Sequence, residues 1–230
     1  MHSQHANNAK GHGPTLITRC NIQTKNLVML TKLKQKVQRA LSSEARAAHR
    51  LGLTPNIVTV MGFVLSFLAA VSYTITTQGQ SLWLFVAVVL LMSSGFCDTL
   101  DGILARTYQQ ASPFGGFLDS VLDRFADVFV LAGIIIAGLC NPVAGLAALA
   151  GSFMVSYSRA RAEAAGIKME SVGFAERPER IVILAAASIL AIFWFPALNV
   201  GIIFIAVLTT ITVFQRVLHV YRALRRVEYK

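Results

Sequence analysis

Cysteine and charge are both scarce in this sequence. The three cysteines, Cys20, Cys97 and Cys140, lie far apart and form no CxxC pair. They supply no disulfide framework and are interpreted as unpaired apolar residues. Only 14% of the residues are charged, while 55% are hydrophobic and the mean hydropathy is +0.59. This composition is typical of a polytopic membrane protein and excludes a soluble domain of any size.

Acidic residues are fewer than basic ones, which leaves a net charge of +10. A strongly basic protein can bind either nucleic acid or an anionic membrane surface. Because most of the chain is apolar, we interpret the charge as an attraction to membrane lipids. We therefore predict no nucleic-acid partner.

The N-terminal region has no apolar stretch of the kind that a cleaved signal peptide needs. Residues 1–28 are polar with scattered histidines, and we interpret them as a disordered extension rather than a metal site. A more structured sequence begins at Met29. Between residues 31 and 50, apolar residues recur at helical spacing and basic residues cover the rest. We predict that 29–54 form an amphipathic juxtamembrane helix on the membrane surface.

Six apolar segments follow, each near the roughly 20 residues that a membrane-spanning helix needs. We place them at 57–77, 82–104, 113–139, 142–164, 179–197 and 199–221. The connections at 77–80, 139–141 and 196–199 carry no charge, and every basic or acidic residue falls on the opposite side. This bias predicts that both termini lie on the cytoplasmic side of the cell membrane. The predicted fold is all-α, with a surface helix before a domain of six transmembrane helices over 55–230.

All the aspartates lie in one short stretch at the second and third segments. They are Asp98, Asp101, Asp119, Asp123 and Asp127. Asp98 and Asp101 are three residues apart and share one face of the second helix. Asp119 and Asp123 are four apart and share one face of the third. Two antiparallel neighbours joined by a short loop can turn these carboxylates towards one another.

The carboxylates have few positive partners near them in sequence. A carboxylate in apolar surroundings is costly unless a cation accompanies it, and only Arg106 and Arg124 are close. A bound divalent ion would supply the missing charge. Four oxygen donors suit Mg²⁺ or Mn²⁺, and no histidine or cysteine lies near enough to suggest zinc. Asp127 is interpreted as a partner of a basic group.

Glycines and an arginine are interleaved with the acids. Gly102 follows Asp101, and Gly115 precedes Asp119. A small residue lets a substrate or a neighbouring backbone come close. Arg106, one turn after Gly102, offers a planar fork to a phosphate. A divalent metal, an arginine and a backbone that a substrate can approach closely are what phosphoryl transfer needs. We therefore predict phosphoryl transfer.

The segment 98–123 reads DTLDGILARTYQQASPFGGFLDSVLD. It resembles the signature D-x-x-D-G-x-x-A-R-x8-G-x3-D-x3-D of the CDP-alcohol phosphotransferases. Every fixed position of that signature is present, at Asp98, Asp101, Gly102, Ala105, Arg106, Gly115, Asp119 and Asp123. Six spans with the motif across the second and third are also similar to that family.

The resemblance implies a homodimeric membrane enzyme that displaces CMP from a CDP-linked lipid with an alcohol. Two ions, Mg²⁺ or Mn²⁺, would be held by Asp98, Asp101, Asp119 and Asp123. Asp123 would also be the catalytic base. The CDP-lipid would contact Asn56, Ile57, Val58, Thr59, Gly102, Ala105, Arg106, Ser112 and Gly115.

A second basic cluster runs from the fourth segment into the fifth, in SYSRARAEAAGIKMESVGFAERPER. Its arginines are Arg159, Arg161, Arg177 and Arg180. From charge alone they could bind an anionic acceptor, bind lipid headgroups, or only follow the positive-inside bias. The stretches SYxRARAE and GFxERPER resemble the phosphatidylinositol phosphate and archaetidylinositol phosphate synthases. That resemblance implies that the arginines bind the phosphate of inositol 1-phosphate, with CDP-diacylglycerol or CDP-archaeol as the lipid donor.

Two other functions are compatible with these residues. Within the family, the acceptor could be glycerol 3-phosphate, as in a phosphatidylglycerophosphate synthase. From another class, a small cation transporter also uses intramembrane carboxylates. Transporter sites generally lie near the bilayer midplane between repeats, whereas these acids lie near the cytoplasmic end and no repeat is visible. The sequence therefore favours an enzyme.

Overall fold

The computed structural model of the chain describes residues 43–77, 81–169 and 172–228. Within those ranges every regular element is a helix, so the all-α prediction is confirmed. Residues 43–50 are helical. The long helices are α1 (Pro55–Thr74), α2 (Ser81–Thr107), α3 (Pro113–Ile136), α4 (Pro142–Ala164), α5 (Arg177–Phe193) and α6 (Ala197–Glu228). The predicted extension 1–28 and most of the predicted surface helix lie outside the described residues.

The helices agree with the predicted apolar segments to within three residues, except at two ends. α5 ends at Phe193 rather than 197, because Trp194 has an extended backbone two residues before Pro196. α6 continues to Glu228 rather than 221. The prediction followed apolar character, and a helix can continue past its apolar part into basic sequence when no proline or glycine stops it.

Three helices begin with a capping side chain followed by proline. Thr54, Ser112 and Asn141 each accept a hydrogen bond from a backbone N–H of the first turn. Proline at the first helical position needs no N–H partner and has the φ angle of a helix. The Ser112 cap places the start of α3 close before Asp119 and Asp123. Local sequence therefore sets where these two aspartates lie along the helix.

The helix α1 packs against α2 and α3, while α5 packs against α2 and α6. Glycine permits the approach of α1 to α3 at two points. A Cβ on Gly133 would lie 2.6 Å from the Ala70 carbonyl oxygen, and one on Gly115 would lie 2.8 Å from Asn56 Oδ1. Backbones can come this close only where a side chain is absent. The ends of α1, α2 and α3 therefore meet around the aspartates.

Three helices of the described ranges are long and apolar enough to cross a membrane by length and composition. They are Pro55–Thr74, Ser81–Thr107 and Ala197–Arg225, with mean hydropathies of 2.0, 1.8 and 2.3. The other three carry charged residues or are short; α5 has 17 residues and begins with Arg177. Large apolar side chains on α1, such as Ile57 and Phe67, are 45% exposed. Apolar helices with an apolar outer surface make this a membrane protein.

Candidate active site

The end of α2 and the start of α3 bring three aspartates into one cluster. One carboxylate oxygen from each of Asp98, Asp119 and Asp123 lies within 4.8 Å of the other two. We call these three residues the carboxylate cluster. Asp101 lines the same small cavity but turns towards α1, where Thr59 Oγ1 donates a hydrogen bond of 2.6 Å to its Oδ2. The four predicted metal ligands thus surround one cavity, and three of them converge.

The carboxylate cluster fits a divalent cation. Its donors are oxygen atoms carrying negative charge, which Mg²⁺ and Mn²⁺ prefer. Among the described residues, the buried Asp119 Oδ1 has no hydrogen-bond partner. A buried charged oxygen without a partner is costly, and a bound ion would satisfy it. The cluster therefore has the oxygen ligands that a divalent ion prefers and one buried oxygen that lacks a hydrogen-bond partner.

An arginine that is distant in sequence from the aspartates lies beside them in the structure. Arg177, the first residue of α5, places Nη1 3.0 Å from Asp98 Oδ1 and 2.6 Å from Asp123 Oδ1. Its Nε lies 3.7 Å from Asp127 Oδ1. Only Arg106 and Arg124 were near enough in sequence to be expected as partners. The five aspartates nevertheless outnumber the guanidinium groups that contact them, those of Arg124, Arg177 and Arg180.

On one side of the aspartates lies a pocket of about 160 Å³, which we call the signature pocket. It is lined by six of the residues predicted to contact CDP-lipid, namely Asn56, Thr59, Gly102, Ala105, Ser112 and Gly115. Gly116, which also lines it, has open space where a Cβ would be. Apart from Asp101 and Asp119, this lining is uncharged.

Three residues predicted for CDP-lipid do not line the signature pocket. Ile57 is exposed on the outer side of α1, and Val58 is buried in the protein. Consecutive helical residues point about 100° apart, so four in a row cannot all face one ligand. The Arg106 guanidinium folds back onto Gly102, where an added Cβ would lie 3.3 Å from Nη2. This arginine covers the glycine instead of leaving it open.

On the other side lies a larger pocket of about 430 Å³, which we call the arginine pocket. Its basic lining consists of Arg124, Arg159, Arg177, Arg180 and Arg216. The carboxylate cluster also lines it, so the two sites share a wall. Arg161 is exposed and is not among the lining residues. It is two positions from Arg159 on α4, and residues at that spacing face different sides of a helix.

Acidic side chains hold the arginines of this pocket in place. Arg159 Nε lies 2.9 Å from Glu163 Oε1 and its Nη1 lies 3.5 Å from Glu176 Oε1. Arg180 Nη2 is 2.5 Å from Asp127 Oδ2, and its Nη1 donates to the Ala175 carbonyl. Asp127 therefore has the basic partner that we predicted for it.

Arg216 is a pocket residue that sequence reasoning missed. It comes from α6, is 1% exposed, and lies 3.3 Å from Glu176 through Nη2. Its Nε donates to the Val172 carbonyl at 2.9 Å and its Nη1 donates to the Val155 carbonyl. It joins α4, α6 and the segment before α5. A signal was available, because Arg216 is the first charged residue of α6, after a mostly apolar stretch.

A basic pocket beside an acidic metal-type site, between membrane helices, is what a membrane phosphotransferase needs. The chain belongs to the CDP-alcohol phosphatidyltransferase family, whose model matches residues 52–212. This membership makes it a transferase of phospholipid synthesis and removes the cation transporter from consideration.

Individual relatives agree with this assignment. The chain is 42% identical to an archaetidylinositol phosphate synthase of Pyrococcus horikoshii over 87% of this chain and 99% of that protein. It is similar to the crystal structure of Mycobacterium tuberculosis phosphatidylinositol phosphate synthase with CDP-DAG bound, at 33% identity and a TM-score of 0.69, covering 80% and 94% of the chains. The structure of that enzyme with manganese and citrate matches at 33% identity and a TM-score of 0.68, covering 79% and 88%.

Proposed function

We propose that this protein transfers a phosphatidyl or archaetidyl group from a CDP-activated lipid to a hydroxyl of inositol 1-phosphate, releasing CMP. The observation that carries the proposal is the shared wall between the arginine pocket and the carboxylate cluster. An anionic acceptor held by arginines would have its hydroxyl next to the site where a diphosphate is bound.

The donor would bind on the signature-pocket side. Small residues there, such as Gly102 and Gly116, leave space for a nucleotide against the helix backbone. The lipid part would lie along the apolar outer surface of α1, where Ile57 faces the membrane. We propose the six lining residues named above as the nucleotide site. Arg106, which covers Gly102, would have to move or stack on the bound nucleotide.

The carboxylate cluster, with Asp101, would hold two divalent ions, Mg²⁺ or Mn²⁺. Bound there, they would neutralise the diphosphate oxygens and the leaving CMP. Asp123 would take the proton of the attacking hydroxyl. The hydroxyl oxygen forms a bond to the lipid phosphorus, and the bond from that phosphorus to the CMP oxygen breaks. Thr59 would keep the Asp101 carboxylate oriented through its hydrogen bond.

The arginine pocket would bind the acceptor phosphate through Arg159 and Arg177. Arg216 would add positive charge and hold the pocket wall, because its donors already face two carbonyls and Glu176. Arg180 would act less directly, because its donors already face Asp127 and Ala175. Arg161 is left out of this proposed set because it lies outside the pocket lining. A phosphorylated acceptor needs such a pocket, since charged oxygens removed from water require charged or hydrogen-bonding partners.

We propose six membrane spans with the active site and both termini on the cytoplasmic side. The charged ends of α2, α3, α4 and α5 all lie around the carboxylate cluster, and the positive-inside bias puts that end in the cytoplasm. The family resemblance leads us to propose a homodimer. Cross-linking in native membranes, together with accessibility of single cysteines placed at residues 77 and 110 of a variant without native cysteines, would test both proposals.

The acceptor assay is the sharpest test of the function. Purified protein in detergent would be given Mg²⁺, CDP-diacylglycerol or CDP-archaeol, and either inositol 1-phosphate or glycerol 3-phosphate. We expect CMP release and a phosphoinositol lipid with the first acceptor only. Equal or greater turnover with glycerol 3-phosphate would instead identify a phosphatidylglycerophosphate synthase. Asp119→Asn provides the metal-site control, because it removes one charge and keeps the shape of the side chain.

A further inference from the structure

The guanidinium of Arg177 lies against two of the three aspartates of the carboxylate cluster. It contacts Asp98 at 3.0 Å and Asp123 at 2.6 Å, and both belong to the cluster. A divalent ion binds carboxylate oxygens at about 2.0–2.6 Å and repels a guanidinium held against those same carboxylates. Arg177 and the ion therefore compete for Asp98 and Asp123.

The contacts of Arg177 with these carboxylates are suited to exchange. Its Nε and Nη1 atoms are buried, yet neither makes a hydrogen bond of good geometry to any described residue. Paired arginines normally make two parallel N–H···O bonds, which are the stronger arrangement. Here charge attraction holds the guanidinium without directed bonds. A divalent cation that binds the same oxygens would therefore replace two ion pairs and not a bidentate hydrogen-bonded pair.

A destination for the displaced side chain is present in the same structure. Arg177 also lines the arginine pocket, together with Arg159 and Arg216. It is the first residue of α5, and its Nε lies 3.7 Å from Asp127. A rotation of the side chain about its contact with Asp127 would carry the guanidinium from the carboxylates into the pocket without moving the helix.

We propose that Arg177 is an exchangeable internal cation that couples the metal site to the acceptor site. Without metal it neutralises Asp98 and Asp123. When a divalent ion takes those carboxylates, Arg177 turns into the arginine pocket and completes the binding site for the acceptor phosphate. The proposal rests on the function proposed above, and it makes metal loading a condition for tight acceptor binding.

Thermodynamic linkage makes this coupling reciprocal. If metal improves acceptor binding by moving Arg177, the acceptor must improve metal binding by the same factor. Coupling between two sites on a protein is commonly about 5-fold to 150-fold in affinity. The coupling can therefore be measured from the metal side alone, in the absence of CDP-lipid and of turnover.

The test measures Mn²⁺ binding to the full-length protein in detergent from the electron paramagnetic resonance signal of free Mn²⁺. Three proteins are compared, the wild type, Arg177→Ala and Arg124→Ala, each with and without saturating inositol 1-phosphate. Arg124 is the matched control because it also contacts Asp123, at 3.5 Å, yet has no contact with Asp98. Arg177→Gln serves as a second variant if Arg177→Ala unfolds.

For Mn²⁺ alone, we expect Arg177→Ala to bind at least about fivefold more tightly than the wild type, because the competing cation is gone. Arg124→Ala should shift the affinity by a clearly smaller factor. Inositol 1-phosphate should tighten Mn²⁺ binding in the wild type and in Arg124→Ala, but much less in Arg177→Ala.

Equal Mn²⁺ affinities of the wild type and Arg177→Ala would overturn the proposal, as would equal shifts in the two arginine variants. The proposal would also be overturned if saturating inositol 1-phosphate tightened Mn²⁺ binding to Arg177→Ala by the same factor as in the wild type. Failure of the proposed function itself would be seen in other Mn²⁺ measurements, and so can be told apart from failure of the coupling. In that case the wild type would bind no Mn²⁺, or Asp119→Asn would bind as much as the wild type.

Discussion

The signature pocket and the arginine pocket lie on two sides of the same aspartates and are built in opposite ways. The signature pocket is formed mostly by neighbouring parts of the chain, the start of α1, the end of α2 and the start of α3, and its lining is largely uncharged. The arginine pocket collects side chains from α3, α4, α5 and α6, and charged residues dominate it. The signature pocket presents a mostly uncharged lining, whereas the larger arginine pocket presents positive charge that suits an anion.

Because the linings of the two pockets differ in charge, the pockets suit different parts of the substrates. The open space at Gly116 offers shape, which suits the part of a substrate common to the whole family. Paired acids and arginines offer a pattern of charge, which suits the part that distinguishes one member from another. Substitutions in the signature pocket should therefore change the KM for CDP-lipid, and those in the arginine pocket the KM for inositol 1-phosphate. Substitutions of the shared aspartates should impair the use of both substrates.

The largest effect is expected from Asp123→Asn, because Asp123 belongs to the wall that both pockets share. The change removes the proposed base and a metal ligand while keeping the size of the side chain. We expect kcat to fall by about 10²–10⁴-fold, the usual contribution of a general base. CMP release measures it, and a melting temperature near that of the wild type would show that the fold is intact. Substantial remaining activity would argue against the proposed role of Asp123.

A large effect on both stability and acceptor use is expected from Arg216→Met. The buried guanidinium satisfies two carbonyls and pairs with Glu176. Leaving such groups unpaired costs about 1–3 kcal/mol each, so the melting temperature should fall clearly. The KM for inositol 1-phosphate should rise more than that for CDP-lipid. Arg222→Met is the matched control, since Arg222 is on the same helix but exposed. Equal losses in the two variants would contradict the assignment.

A smaller effect, confined to the acceptor, is expected from Arg159→Ala. Arg159 lines the arginine pocket and is partly exposed, so its removal should be tolerated by the fold. The loss of one charge-assisted contact, about 1.5–3 kcal/mol, should raise the KM for inositol 1-phosphate about tenfold or more. Arg161→Ala removes the same charge two residues away and should have a clearly smaller effect. If both variants raise this KM equally, the arginines act only through overall charge.

The smallest effect is expected from Gly115→Ala, on the donor side. The new Cβ would lie 2.8 Å from Asn56 Oδ1 and 3.0 Å from Ser112 Oγ, so both side chains would have to shift. Such crowding costs about 1–3 kcal/mol, and the KM for CDP-lipid should rise while that for inositol 1-phosphate stays near its wild-type value. Gly116→Ala is the matched control for stability, because open space surrounds that position. A lower melting temperature in Gly116→Ala than in Gly115→Ala would contradict this packing.

The predictions made from sequence were most accurate where the chemistry is local. Helix positions follow from apolar runs and from proline after a capping residue, both of which act within a few residues. The aspartates could be assigned to shared helix faces because spacings of three and four residues map directly onto a helix. The CDP-lipid contacts of Ile57 and Val58 were inferred from the family resemblance and not from helix geometry, and they stay predictions. Neither residue lines the signature pocket, because adjacent residues of a helix point in different directions.

Other features could not be read from the chain because they join segments that are distant in sequence. The partner of Asp101 is Thr59, 42 residues earlier. The cation beside Asp98 and Asp123 comes from α5, and the buried Arg216 comes from α6. No local spacing predicts such contacts, because they depend on how the helices pack against one another.

The sequence by itself determined the apolar helices, their starting points and the spacing of the acids, because each of these depends on interactions within one or two helical turns. Only the tertiary structure decided which cation faces those acids and which arginines form a pocket. A charge is stabilised by whatever lies near it in space, and in this protein the nearest partners are brought there by helix packing.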